Sequence, residues 1–398
     1  MIAFSLVVAA ALGTLGAQLH VPRLWGRFGA SVVGTLSLPL VLYPVPVVAL
    51  DLLLASTIAI ASSATWTLWP HGFALALLGL HLVRRDRAVP LLVGPPLAVE
   101  LPSVDRWSAW KAHVTRHAAE RDAVEVVRGF VFREVGGVAL RLDVYRPRGG
   151  GQHPSLLYLH GGGWVAGHRR LSHFLLHRFA AAGWTTFAAS YRLAPRFPLP
   201  AALEDAKAAV GFIRQFGSQL GAQAGRPVVW GESAGGHLAA LLALTAGEPR
   251  WQPGFEEVDT FVRGALLFYP VSDLLGTLEG DHPGLKLLLE RWAVRRPVAK
   301  HRELYRALDP MSCDVRDAPP TLLVHGTTDS MVPIAASRRF TQRLLDVGAD
   351  ARLLEVPGMP HAFALAPSPV QERVFHHALG FLDGLERSRA LLRGRARR

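Results

Sequence analysis

The chain has 398 residues and a net charge of +12, from 43 Lys and Arg against 31 Asp and Glu. That length exceeds one typical domain, and the single cysteine, Cys313, excludes an intrachain disulfide framework. Nearly all the positive charge is arginine, with only four lysines; no basic–aromatic reader motif accompanies it, so no nucleic-acid partner is expected.

The first eighty residues differ in kind from the rest. From Phe28 to Val83 the only charged side chain is Asp51, and the histidines there are His71 and His81. As one helix these 56 residues would measure about 84 Å, nearly three times a hydrocarbon core of roughly 30 Å. Two spans with a turn near Asp51 fit better. Met1 to Leu19 is a third apolar stretch with no charged side chain; it lacks the basic start of a cleaved signal peptide, and the chain stays apolar long after it. Residues 1–89 are therefore expected to form a membrane region with three transmembrane helices near 1–19, 29–50 and 53–82. Pro39, Pro44 and Pro46 interrupt the second and Pro70 the third. Arg23 and Arg27 lie before the second span, and Arg84, Arg85 and Arg87 follow the third. An odd number of spans puts both clusters on one side, which the positive-inside bias makes the cytoplasm. The expectation is a multi-pass cell-membrane protein with the bilayer as partner and the rest of the chain cytoplasmic.

Residues 90–123 read as a connector, Pro-rich from Pro90 to Pro102. Trp107, Trp110, Val114 and Ala118 then recur at helical spacing. This amphipathic helix has three readings: lying in the membrane interface, covering a site as part of a cap, or packing on the core. Val138, Leu140, Leu142 and Val144 alternate as in an antiparallel strand, after a turn at Gly136-Gly137 from an earlier strand. From there strands near 155–159, 184–190, 226–230, 262–269, 320–325 and 351–356 alternate with helices. That alternation predicts a mostly parallel sheet with helices on both faces, and ligands in such sheets bind at the carboxyl ends of the strands. Ser272 to Met311 is the expected place for a cap insertion.

Four segments fall at those carboxyl ends. His160-Gly161-Gly162-Gly163-Trp164 follows the apolar run Ser155–Leu159, and its glycines let backbone N–H groups reach a ligand oxygen unobstructed. Gly231-Glu232-Ser233-Ala234-Gly235 is a G-x-S-x-G turn between a strand and a helix, so tight that side chains two residues either side of the serine must be absent. It holds the Ser233 hydroxyl proud of the sheet, at a helix N-terminus whose dipole favours developing negative charge. Asp329 lies in the loop after the strand ending at His325, and His361 lies on the Pro/Gly loop after the strand ending at Val356. Serine, then acid, then histidine is the order that nucleophilic acyl transfer uses on this kind of sheet. The expected donors to an oxyanion are the N–H groups of Gly161, Gly162 and Ala234. His173 and His177 are four apart on a predicted helix, but no third ligand accompanies them, so they read as ordinary surface residues and no metal is expected. No nucleotide loop or cofactor fingerprint occurs. The last dozen residues, 387–398, hold six arginines and read either as a solvated tail or as a basic segment lying on anionic headgroups.

The chain resembles the hormone-sensitive-lipase-like branch of the α/β-hydrolases, the bacterial carboxylesterases, over about residues 124–386. The resemblance rests on His160 to Trp164, Gly231 to Gly236, Tyr191-Arg-Leu-Ala-Pro195 and Pro200-Ala-Ala-Leu-Glu-Asp205, in that family's pattern. One segment departs from it: His325-Gly-Thr-Thr-Asp329-Ser-Met-Val-Pro333 is closer to the acid loop of other α/β-hydrolase esterases and peptidases. The resemblance implies an α/β-hydrolase domain at 124–386 that cleaves carboxylic esters without a cofactor. Ser233 would be the nucleophile, His361 the general base and Asp329 its orienting acid, while His160, Gly163, Glu232 and Asp205 would brace the elbow and the glycine loop. Esters of modest acyl length are expected, lipophilic ones if the membrane tether guides them. Two other readings use the same residues, an amidase or formamidase and a ligand-sensing hydrolase fold without turnover. The oligomeric state is not legible.

Overall fold

The structure is a computed structural model and describes residues 91–93, 119–280, 282–365 and 368–396. The three expected membrane spans lie outside the described residues, as does the amphipathic helix except for a final helical turn at 119–122. Among the described residues no helix is long and apolar enough to cross a membrane.

Nine strands form one sheet: β1 (Leu91–Val93), β2 (Val124–Val135), β3 (Val138–Pro147), β4 (Ser155–Leu159), β5 (Thr185–Ala189), β6 (Val228–Glu232), β7 (Ala265–Phe268), β8 (Thr321–Gly326) and β9 (Ala351–Val356). Their spatial order is β1-β9-β8-β7-β6-β4-β5-β3-β2. The six strands from β4 to β9 run parallel, and β3, β2 and β1 are antiparallel to their neighbours. The strands of the parallel block are short apolar runs, as expected where both faces are covered. The expected strand near 262–269 is only four residues long, because Arg263 and Gly264 open it and Tyr269-Pro270 closes it. β1 was not expected: three residues of the Pro-rich connector pair with β9, which covers a strand edge that would otherwise present unpaired backbone groups.

Successive residues of each strand feed two cores. Leu157, Leu159, Val229, Leu267 and Leu323 face one side with helices α2 (Ala201–Phe216), α3 (Ala234–Leu244) and α7 (Ile334–Asp346), whereas Leu156, Tyr158, Trp230, Phe268 and Val324 face the other with α1 (His173–Ala181) and α8 (Pro369–Ala396). Nine of the eleven residues of α3 are buried, so this helix is apolar all round and central. Between β7 and β8 the expected insertion is present as α4 (Leu274–Glu279), α5 (Pro283–Leu288), a π-helical turn at Leu289–Ala293 and α6 (Arg302–Ala307).

The C-terminal boundary expected at residue 386 is not a structural boundary. α8 runs on to Ala396 through a stretch that is mostly Arg, Leu and Ala, good helix formers, with Ser388 and Gly394 among them. Arg389 donates to the Gln223 side chain at 3.0 Å and to the Ala224 carbonyl at 2.7 Å, so the basic segment starts docked on the domain.

Candidate active site

The tightness of the serine turn follows from its neighbours. Ser233 has φ 54° and ψ −119°, a region that costs a non-glycine residue of order 1–3 kcal/mol. A Cβ on Gly231 would run into the Gly235 carbonyl, and one on Gly235 would meet the carbonyls of Leu159 and His160. The N–H of Ser233 donates to the Phe268 carbonyl at 2.9 Å, pinning the turn to the end of β7.

The loops after β8 and β9 bring Asp329 and His361 to this serine, across 96 and 128 residues of chain respectively in sequence. Ser233 Oγ lies 2.8 Å from His361 Nε2, and His361 Nδ1 lies 2.6 Å from Asp329 Oδ2. A carboxylate only accepts, so Nδ1 carries the proton and Nε2 is left to accept from the serine hydroxyl. Both oxygens of the buried Asp329 are occupied. Oδ1 accepts the backbone N–H groups of Met331 (3.0 Å) and Val332 (2.8 Å), and Oδ2 accepts from His361 and from His325 Nε2 at 3.1 Å. Burial opposes its ionisation, but the adjacent His361 and the histidine hydrogen bonds outweigh it, and its carboxyl is held well below the usual carboxylate range.

His325 was legible only as the end of a buried strand. Its Nε2 faces two acceptors, Asp329 Oδ2 and the Val332 carbonyl at 3.0 Å, so it carries the proton, and Nδ1 accepts from the Ser337 hydroxyl at 2.8 Å. The signal was present: a histidine closing an apolar run four residues before the acid is buried, and a buried imidazole needs partners.

Glu232 occupies the other side of the elbow and does not touch the His361 pair. Its Oε2 accepts from Tyr158 at 3.0 Å and from Ser172 at 2.5 Å, while Oε1 is buried without a partner among the described residues. Burial pushes its carboxyl up to about 7, against the opposing effect of those two hydroxyls and of His361. Tyr269 stacks edge-on against His361, with ring centroids 4.9 Å apart. None of Tyr158, Ser172 and Tyr269 was singled out from the sequence, because isolated hydroxyls in apolar runs carry no pattern.

The glycine loop sits beside the elbow. A Cβ on Gly161 would lie 3.4 Å from the Ser233 Cβ and 3.1 Å from the Glu232 carbonyl. Gly162, at φ +125°, passes so close to Ala166 that a side chain would strike that carbonyl. Among the described residues the N–H groups of Gly161, Gly162 and Ala234 have no acceptor. Gly163 abuts Leu288 of α5. His160 is buried, and burial drives its imidazole down to about 4. It stacks on Tyr191 at 4.2 Å between ring centroids, and the Tyr191 hydroxyl donates to the His160 carbonyl at 2.8 Å. Asp205 lies farther out. It accepts from Arg192 N at 2.9 Å, Arg192 Nε at 2.8 Å and Arg133 at 3.0 Å, and so anchors the segment that carries Tyr191. His173 and His177 are on α1. His177 Nδ1 donates to the His173 carbonyl at 2.8 Å, and no group of three or more metal-ligating side chains occurs among the described residues.

Above Ser233 is a mostly apolar cavity of about 60 Å³, walled by Trp164, Val271, Leu285, Leu288, Met331 and Val332. Leu285 and Leu288 come from the insertion. A hydroxyl poised on an imidazole, unused N–H donors beside it and an apolar recess together suit attack on a carbonyl whose substituent is a short hydrocarbon.

The Abhydrolase_3 family model, described as alpha/beta hydrolase fold, matches residues 156–365. The chain is 37% identical over 237 residues to the probable carboxylic ester hydrolase LipM of Mycobacterium tuberculosis, covering 58% of this chain and 55% of that protein. It is 35% identical over 255 residues to esterase LipQ of the same organism, covering 63% and 60%. The chain thus spans less than two thirds of the length of these curated relatives. Among solved structures it resembles the butyrate-bound thermophilic esterase Est2 of the planctomycete Thermogutta terrifontis, with a TM-score of 0.56 and 26% identity over 66% of this chain and 94% of that one. With more than half of its residues matched by the family model and the nine-stranded sheet in place, the chain belongs to the Abhydrolase_3 family of α/β-hydrolases.

Proposed function

We propose that this protein is a serine hydrolase of carboxylic esters. One observation carries the reading: Ser233 Oγ, His361 and Asp329 form an unbroken hydrogen-bonded line, 2.8 Å and then 2.6 Å, at the mouth of an apolar cavity. Ser233 attacks the acyl carbonyl as His361 takes its proton, and Asp329 holds the imidazole in the required tautomer and stabilises the imidazolium. The N–H groups of Gly161, Gly162 and Ala234 receive the oxyanion, a contribution of about 3–4 kcal/mol per donor to the barrier. His361 then protonates the leaving alcohol, and water repeats the sequence on the acyl-enzyme. Glu232 and Asp205 take no part in the proton transfers and brace the elbow and the Tyr191 segment. The names of LipM, LipQ and the Thermogutta esterase support ester substrates. The cavity of about 60 Å³ favours short acyl groups. Three apolar stretches before residue 89 support a membrane tether, with the hydrolase domain on the cytoplasmic side.

The test is hydrolysis of a chromogenic ester series, from acetyl to palmitoyl, by the detergent-solubilised full chain beside Ser233→Ala. Turnover that peaks at short acyl groups and vanishes in the variant is expected. Turnover confined to amides would replace ester by amide as the substrate, and ligand binding without any turnover would favour a sensor.

A further inference from the structure

A wider opening than the cavity over Ser233 lies elsewhere on the domain, and Ser233 is not among its walls. It is an open groove of about 870 Å³ between the chain that follows β5 and the insertion, lined by Arg192, Arg196, Phe197, Arg291, Trp292 and Arg295 among others. Arg192 is neutralised by Glu204 and Asp205. Arg196, Arg291, Arg295 and the adjoining Arg296 have no carboxylate within ion-pair distance among the described residues. All four are exposed. Arg295 is held at φ 59°, a conformation rare for a side-chain-bearing residue, and donates to the Pro195 carbonyl across the groove at 3.2 Å.

The same segment carries two of the most exposed large apolar side chains, Leu287 at 57% and Trp292 at 52%. Leu285 and Leu288, within two residues of Leu287, turn the other way and wall the cavity over Ser233. One short segment therefore lines the nucleophile pocket with its inner face and offers aliphatic, indole and guanidinium groups with its outer face. It also holds the π-helical turn, Leu289–Ala293, a feature frequent at functional sites.

We infer that this outer face seats the domain on an anionic phospholipid surface, with Leu287 and Trp292 entering the interface and Arg196, Arg291, Arg295 and Arg296 meeting the headgroups. Indole at headgroup level with cations beside it is the usual chemistry of interfacial anchoring. An aliphatic side chain such as Leu287 has no stacking role on a nucleic-acid base, which separates this surface from a nucleic-acid groove. The docking uses only described residues and is independent of whether Ser233 turns over esters. It would place the wall of the acyl cavity against the bilayer, so that lipophilic esters reach it without crossing water.

The test uses an environment-sensitive fluorophore on Leu287→Cys in a Cys313→Ser background. The full chain is reconstituted into bilayers of phosphatidylcholine alone or mixed with phosphatidylglycerol. The expected result is a blue shift only with phosphatidylglycerol, with the docked-to-undocked ratio falling about fivefold for each of Arg291→Gln, Arg295→Gln and Arg296→Gln. A label at Val347→Cys, beside the amino ends of the strands and thus at the far side of the sheet, should report water in both bilayers. Trp292→Cys serves as a second reporter should the first fail to fold. Equal emission from position 287 in both bilayers overturns the inference. So does a shift that follows protein concentration rather than lipid charge, which would assign the face to a second copy.

Discussion

Two buried carboxylates flank the Ser233 turn, and they are opposites. Asp329 accepts four hydrogen bonds, two from backbone N–H groups and two from histidines, and is kept ionised. Glu232 accepts two, both from hydroxyls, on a single oxygen, and its carboxyl is pushed up to about 7. The two are comparably dry, so burial does not distinguish them. The donors decide: each hydrogen bond to the charged form favours it, and a neighbour that can carry positive charge favours it more. An orienting acid must be an anion throughout the cycle, whereas a bracing acid can hold its place in either state.

Neutralising each carboxyl in turn separates the two roles. Asp329→Asn should lower kcat by about 10⁴-fold, because the amide stabilises the wrong imidazole tautomer. Glu232→Gln should cost less than about tenfold, since the amide oxygen can still accept from Tyr158 and Ser172. Equal losses in steady-state ester hydrolysis would place Glu232 in the chemistry and end the distinction.

His325→Leu, which keeps the volume and has no donor, probes how the aspartate is held. Removing one hydrogen bond to a buried charge is worth about 1.5–3 kcal/mol, so kcat should fall about tenfold to a hundredfold with KM little changed. The acidic limb of the kcat profile should move as well, because a hydrogen bond that favours the charged form of Asp329 is lost beside His361. A purely structural role would leave that profile where it was.

A further expected effect is on stability. The Glu232 carboxyl lies above its ordinary 4.5 in the folded chain, so between about 4.5 and 7 the folded state holds a proton that the unfolded state has released. Stability therefore falls as pH rises through that window, by up to about 3 kcal/mol. Asp329 acts in the opposite sense: its contribution is present above the usual carboxylate range and is lost as pH falls below it. Thermal melts should then show Glu232→Gln gaining on the parent at pH 8 and not at pH 4. A gain of the same size at both would mean that Glu232 titrates normally.

Much of this site is legible in the sequence because its key segments are backbone requirements. The glycines around Ser233 are dictated by the carbonyls of Gly235, Leu159 and His160, and glycine is visible in a sequence. Asp329 and His361 are found by order, since strand ends bring remote loops together. The Glu232 cluster is different. Tyr158 is one residue in a buried strand and Ser172 precedes a helix 60 residues from Glu232, so only the fold brings them together. The β1 pairing and the continuation of α8 through the arginines were missed for a similar reason: an edge strand of three residues and a helix extended by docking draw their stability from tertiary contacts.

The central claim is that Ser233 is the activated hydroxyl, and the most direct measurement is covalent. The folded full chain would be treated with a fluorophosphonate probe, the adduct mapped by mass spectrometry, and residual ester turnover followed alongside. The account predicts one adduct, on Ser233, appearing in step with the loss of turnover and slowed by about 10⁴-fold in Asp329→Asn. An unmodified Ser233 in active protein, or turnover that survives its complete modification, would contradict it.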